Sequence, residues 1–332
     1  MSWQESIIGA SDSLRVAASV LNSASHKLIL VTSPDGKLLG TVSDGDLRRA
    51  MLKGLVLDDP VTVIMNPTFV YGREGMPASE QRALMKQNEI DELPIIDGEG
   101  HIVNLVSIRQ EDPKFKGTFV IMAGGRGVRL MPLTEATPKP MLLVGSKPIL
   151  EHILISAISQ GFSEFVISVN YLSEIIEAHF GDGSKWGVSI RYLREDKPLG
   201  TAGALSLLPE DTPGPILVAN GDLITNLDFR SMLQNHLETK SDISIAVRRF
   251  ELRNPYGVIA TNGNYVSSIE EKPTYVSQVN TGIYVLESKI LKTLKLNEFC
   301  NMTDVVQNFL DNGKPVAAFP VHESWRDIGT PG

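Results

Sequence analysis

Thr118-Phe-Val-Ile-Met-Ala-Gly-Gly-Arg-Gly-Val-Arg-Leu-Met-Pro-Leu-Thr-Glu-Ala-Thr-Pro-Lys-Pro-Met-Leu-Leu-Val-Gly-Ser-Lys-Pro148 is the stretch that decides how the chain is read. Phe119 to Met122 form a short apolar run of the kind a buried parallel strand presents. The run breaks into Gly124-Gly125-Arg126-Gly127, where the glycines permit positive φ and bring backbone N–H groups close to a bound group. Arg129 follows, and Lys139 stands between Pro138 and Pro140. A glycine loop with two fixed cations suits a polyphosphate. A Walker loop requires Gly-Lys-Ser/Thr after its glycines, and this loop continues Val128-Arg129-Leu130. A dinucleotide fingerprint requires a third Gly or Ala where Leu130 stands.

Outward from this stretch, the second part of the chain alternates apolar strands with amphipathic helices, the pattern of an α/β sheet. Strands are expected at residues 119–122, 165–169, 189–193, 215–219, 243–247, 265–270, 279–286 and 316–319. Helices are expected at 148–159, 172–180, 201–208 and 302–311. Ligands of an open α/β sheet sit beyond the carboxyl ends of its strands. Residues 124–127, 195–200 and 220–222 fall at such ends, so one cleft should gather them.

The string AGGRGVRLMPLTEATPKPMLLVGSKPIL resembles the signature of the sugar-1-phosphate nucleotidyltransferases, also called nucleoside-diphosphate-sugar pyrophosphorylases. The resemblance extends over nearly all of residues 118–331. It implies a Rossmann-like, mainly parallel, GT-A-like domain. It also implies that Ala123, Gly124, Gly125, Gly127, Gly200 and Thr201 hold the nucleotide. Arg129 and Lys139 would be catalytic, neutralising the triphosphate and the charge that grows at the α-phosphorus. Asp222 follows a buried strand, and Asp327 lies in Trp325-Arg-Asp-Ile-Gly-Thr-Pro331. Both match the family's metal-binding aspartates and would hold Mg²⁺, which prefers carboxylates together with nucleotide phosphates. Asn220, Tyr256, Gly257, Glu271, Lys272 and Asn280 match the segments that contact the sugar phosphate.

Glu195 stands where thymidylyl and uridylyl relatives commonly carry Gln. A carboxylate accepts both N1–H and N2–H₂ of guanine, whereas an amide suits the mixed edge of a pyrimidine. Glu195 therefore points to GTP, with Asp196 facing the site as the open alternative.

Residues 1–112 carry a weak repeat. Residues 26–43 and 93–107 each read as strand, Asp-Gly turn and strand. Helices are expected at 13–22, 46–53 and 79–88. This part resembles a CBS pair, an α+β Bateman module. Ser43 and Asp46, in Gly40-Thr-Val-Ser-Asp-Gly-Asp46, match the family's contacts to a bound adenine or guanine nucleotide. Asp46 could equally cap the helix it opens. In the second repeat Ser107 is present, but Gln110 replaces the Asp. The polar stretch 111–117 places the boundary between a CBS domain, 1–115, and a nucleotidyltransferase domain, 116–332.

Composition adds limits. Net charge is −8 without a basic run, which argues against nucleic acid. No apolar run approaches a membrane span, and the N-terminus lacks a signal-peptide layout. The single Cys300 cannot form an internal disulfide, so a cytoplasmic location is expected. The six histidines show no zinc spacing.

The layout resembles the glucosamine-1-phosphate guanylyltransferases of legionaminic acid synthesis, with GTP and a sugar 1-phosphate as substrates and a homo-oligomeric assembly expected. Mannose- or heptose-1-phosphate guanylyltransferase, or a uridylyl-, thymidylyl- or cytidylyltransferase, is the alternative within the class. A nucleotide-sensing subunit without activity is the alternative from another class. The chain stops at Thr330-Pro331-Gly332, where relatives usually continue into a helix.

Overall fold

A computed structural model describes residues 3–24, 26–107 and 117–329. Gln110, most of the 111–117 boundary stretch and Thr330–Gly332 lie outside the described residues. The chain divides into two compact units, 1–115 and 116–332.

The first unit holds two three-stranded sheets. One runs Ile7–Gly9, Leu28–Thr32, Leu38–Ser43, and the other Gly72–Arg73, Glu92–Ile96, Ile102–Ser107. In each sheet the first pair is parallel and the second antiparallel. The two short opening strands carried no readable pattern, being two or three residues long. Helices Leu14–Ser23 and Asp44–Leu52 cover the first sheet around a core of Leu14, Leu21, Ile29, Val31 and Leu47. Helix Ala78–Gln87 covers the second, with Met85, Leu93 and Ile95 buried.

The second unit is built on a seven-stranded sheet. We number its strands β1 (Phe119–Met122), β2 (Glu164–Val169), β3 (Ser189–Arg194), β4 (Ile216–Asn220), β5 (Ile243–Arg253), β6 (Thr274–Leu286) and β7 (Val316–Pro320). Their spatial order is β3-β2-β1-β4-β6-β5-β7. All neighbours are parallel except β6, which runs against β4 and β5. The mainly parallel α/β sheet expected from the sequence is therefore present.

The continuous apolar character of β1 and β4 has a simple cause: both faces of these central strands are covered. Phe119, Val120, Ile121, Leu217 and Val218 are buried. Phe119 meets Phe162 and Phe229 edge to face, at centroid distances of 5.3 and 5.1 Å, a favoured aromatic geometry. Helix Ile149–Ser159 begins at Pro148, whose fixed φ suits a helix entry.

Two expectations need correction. The helix expected at 201–208 is a short 3₁₀ turn, Gly203–Leu207, because its glycine-containing approach packs against the backbone of Glu298–Cys300. Strands expected at 243–247 and 279–286 belong to longer strands that run past the sheet as a two-stranded ribbon, with Arg253 paired to Thr274. Hairpin Val258–Asn262/Tyr265–Glu270 follows in chain between them.

Candidate active site

From β1 the chain winds first through β2 and β3 on one side and then crosses to β4 on the other. The strand order reverses between β1 and β4, and a crevice opens there at the carboxyl ends of the strands. A cavity of about 450 Å³ occupies it. Ala123, Gly124, Gly125, Gly127 and Arg129 line it from the loop after β1, joined by Lys139. Glu195, Gly200 and Thr201 line it from the segment after β3, and Asn220 and Asp222 from the end of β4. Asp327 reaches it from the far end of the chain.

Two bonded clusters divide the wall. The first is cationic and acidic. Lys139 Nζ donates to Asp222 Oδ2 and stands 3.9 Å from Asp327 Oδ1. Register explains the meeting: strand Leu223–Thr225 pairs antiparallel with Trp325–Asp327, and Leu223 lies opposite Asp327. The Trp325 indole N–H donates to the Thr281 carbonyl at 3.0 Å, tying this late strand to β6. Gly127 sets Lys139 from the other side. Its φ is +62°, and a Cβ there would stand 2.9 Å from Lys139 Cβ. Thr134 Oγ1 donates to the Gly127 carbonyl at 2.9 Å and holds that turn. The amides of Gly124 and Gly125 meet no protein acceptor among the described residues, leaving donors for an anion.

The second cluster surrounds Glu195, only 8% exposed. Its Oε1 accepts from the Ser168 hydroxyl, and its Oε2 accepts from the Leu199 N–H at 2.9 Å. Asn170 Nδ2 donates to the Glu195 carbonyl at 2.6 Å. A carboxylate offers about four acceptor positions, so two remain. Glycine at 124 leaves room for this carboxylate, since a Cβ there would displace Glu195 Oε1. Asp196 is exposed and does not line the cavity.

The other expected residues lie elsewhere. Tyr256, Gly257, Glu271, Lys272 and Asn280 are exposed and are not part of the cavity wall. Lys272 Nζ lies 3.7 Å from Glu271 Oε1, and Asn280 Nδ2 donates to the Tyr284 hydroxyl at 2.6 Å. In the first unit, Ser43 and Asp46 form a reciprocal capping box at helix Asp44–Leu52. Ser43 Oγ accepts from the Asp46 N–H at 3.2 Å, and Asp46 Oδ2 accepts from the Ser43 N–H at 2.9 Å. The capping reading of Asp46 is the one the structure displays.

Sequence reasoning passed over Ser168, which braces Glu195, and Leu199 and Phe299, which line the cavity. Ser168 looks like any small residue late in a buried strand. Phe299 sits in an irregular segment with no period to read.

Comparison with known proteins bears on this arrangement. The nucleotidyl transferase family model matches residues 118–332. The chain belongs to this family. CBS domain models match residues 4–53 and 61–110. The transferase part is 30% identical to mannose-1-phosphate guanylyltransferase of Mycobacterium tuberculosis, over 64% of this chain and 61% of that one. It is 31% identical to UTP–glucose-1-phosphate uridylyltransferase of Synechocystis, over 63% and 59%. It is 30% identical to D-glycero-alpha-D-manno-heptose 1-phosphate guanylyltransferase of Aneurinibacillus thermoaerophilus, over 64% and 93%. The chain thus spans about three-fifths of the first two relatives. Among solved structures, HddC of Yersinia pseudotuberculosis in complex with GMP-PN superposes with a TM-score of 0.51 at 27% identity, covering 65% of this chain and 95% of that one.

Among the described residues no group of three or more His, Cys, Asp or Glu could hold a metal. Asp222 and Asp327 offer two hard oxygen donors beside an ammonium. Such a pair fits Mg²⁺ that completes its shell with water and phosphate oxygens, and does not form an all-protein cage.

Proposed function

We propose that the chain catalyses NTP + sugar 1-phosphate → NDP-sugar + pyrophosphate. The observation that carries this reading is the meeting of Lys139, Asp222 and Asp327 with the glycine loop in one cavity at the strand-order reversal.

A phosphate oxygen of the sugar 1-phosphate attacks the α-phosphorus of the nucleotide. The α–β phosphoanhydride bond breaks, and pyrophosphate leaves with the bond's electron pair. Such transfers depend on positioning and charge compensation more than on a protein nucleophile. Gly124 and Gly125 amides bind phosphate oxygens, while Arg129 and Lys139 offset the charge that builds on the attacked phosphorus and the leaving group. Asp222 and Asp327 would hold Mg²⁺, which when bound neutralises nucleotide phosphate oxygens.

The preferred base is guanine. A buried carboxylate at Glu195, with acceptor capacity left over, suits the two adjacent donors of guanine. The names of the mannose and heptose relatives favour the same base, and the uridylyltransferase relative gives the alternative. Glucosamine 1-phosphate is the proposed acceptor on the resemblance in layout, with mannose and heptose 1-phosphates next, and surface-glycan synthesis as the setting. The CBS unit would bind a nucleotide or join copies of the chain.

The test is pyrophosphate release by the full chain with Mg²⁺, each NTP in turn, and a panel of sugar 1-phosphates. Release with GTP and one hexose or hexosamine phosphate is expected. Release with UTP, dTTP or CTP alone would overturn the role given to Glu195. No release with any pair would overturn the transferase reading in favour of a nucleotide-sensing subunit.

A further inference from the structure

We infer that Phe299 stacks on the nucleobase and sets its plane against Glu195, as a nucleotide-binding residue; this rests on the nucleotidyl-transfer reading. Phe299 is 63% exposed, lines the cavity and is not among the residues packed into an apolar core. It is the one aromatic side chain among the residues that line the cavity. A large apolar ring left open at a polar cavity calls for a flat, apolar face in the ligand.

The segment that carries the ring is fixed. Cys300 N–H donates to the Leu199 carbonyl at 2.9 Å, and the Ala202 and Gly203 amides donate back to the Cys300 carbonyl at 3.0 and 3.1 Å. Met302 N–H donates to Thr201 Oγ1 at 2.8 Å, and Asn297 N–H donates to Ser206 Oγ at 3.1 Å. Leu199 in turn donates its N–H to Glu195 Oε2. One hydrogen-bonded unit therefore carries both the carboxylate, suited to a base edge, and the ring, suited to a base face.

The phosphate-binding charges belong to the other cluster. Lys139 pairs with both Asp222 and Asp327, and among the described residues none of the three side chains bonds to the segment around Phe299. The charge of a sugar phosphate suits the first cluster, and the KM for the sugar phosphate separates stacking on the base from stacking on the sugar. Stacking by an aromatic residue tolerates any base. Phe299 would thus supply affinity for the nucleotide and hold it where Glu195 selects.

The experiment uses the full chain carrying Phe299→Ala, Phe299→Leu and Phe299→Tyr. Steady-state KM is measured separately for GTP and for the sugar 1-phosphate, and GTP affinity by calorimetry. Phe299→Ala should raise both the KM and the Kd for GTP by about 10- to 100-fold. The KM for the sugar phosphate should hold, Phe299→Tyr should restore GTP binding, and Phe299→Leu should fall between. The ring is largely exposed, so Phe299→Leu should stay folded, and a thermal melt checks this. Unchanged GTP affinity in the Ala and Leu variants, or a loss confined to the sugar phosphate, would overturn the inference and leave the transferase reading standing. Failure of the unaltered chain to bind any nucleotide would overturn both.

Discussion

Lys139 shows how one side chain can hold a site ready. Its ammonium sits between two carboxylates that would otherwise repel, and Asp222 and Lys139 are both largely shielded from water. A second cation competes for the same oxygens. Lys139→Met should therefore have opposite effects on two measurements. Turnover should fall by about 10²- to 10³-fold, the usual cost of removing one transition-state partner. Binding of Mn²⁺ to the nucleotide-free protein, read by paramagnetic resonance, should tighten because the carboxylates lose their resident charge. Unchanged or weaker Mn²⁺ binding would show that the lysine does not shield the pair. At this scale the sequence is a good guide where a residue type carries a charge and sits in an ordered motif: Arg129, Lys139, Asp222 and Asp327 all line one cavity. It is a poor guide where the same atoms serve two purposes. Ser43 and Asp46 read both as ligand contacts and as a helix cap, and the hydrogen bonds display the cap without bearing on the ligand.

Helix Phe229–Thr239 is an element that sequence reasoning passed over, although Phe229, Met232, Leu233, His236 and Leu237 follow helical spacing behind the Asp228 cap. Its docking is partly polar. His236 is buried, with its Nδ1 2.8 Å from Ser244 Oγ on β5 and its Nε2 3.2 Å from Glu287 Oε1 just past β6. Burial pushes the imidazole below its ordinary value of 6.5, against a smaller upward pull from Glu287 and Asp242. The unfolded chain therefore takes up a proton at His236 before the folded one does. The contribution to stability is present above the unfolded value and declines as pH falls through it towards the folded value. Denaturant unfolding across pH 5 to 8 should show this loss, and His236→Gln should flatten it. An equal slope in both proteins would place the pH dependence elsewhere. Strands were legible where two covered faces force unbroken apolar runs, as in β1 and β4. The ribbon beyond the sheet was not, because its partly apolar strands are exposed, with Phe250, Leu252, Tyr275 and Val276 all open, although the hairpin strand Tyr265–Glu270 was expected. Of the residues matched to sugar-phosphate binding, Asn220 lines the cavity at the end of β4, while Tyr256, Gly257, Glu271, Lys272 and Asn280 lie on or beside that ribbon and hairpin and are not part of the cavity wall.

At the scale of the molecule, two units with separate cores should unfold separately. Calorimetry should resolve two transitions. GTP with Mg²⁺ at a hundred times its Kd should stabilise the transferase transition by about 2.7 kcal/mol. Ser43→Ala should lower only the other, by about 1 kcal/mol for a lost cap. A single transition moved by both changes would show that the units melt together. The pairing of Leu223–Thr225 with Trp325–Asp327 has a consequence for synthesis. The N-terminal unit and β1 to β4 emerge from the ribosome long before residue 327. Nascent chains fold vectorially, early domains first. The glycine loop can take shape while translation continues, yet Asp222 waits for its partner until the last strand is made. Ribosome-bound intermediates would hold the glycine loop without the full acidic pair, so the proposed nucleotidyl transfer would begin only after Trp325–Asp327 clears the exit tunnel.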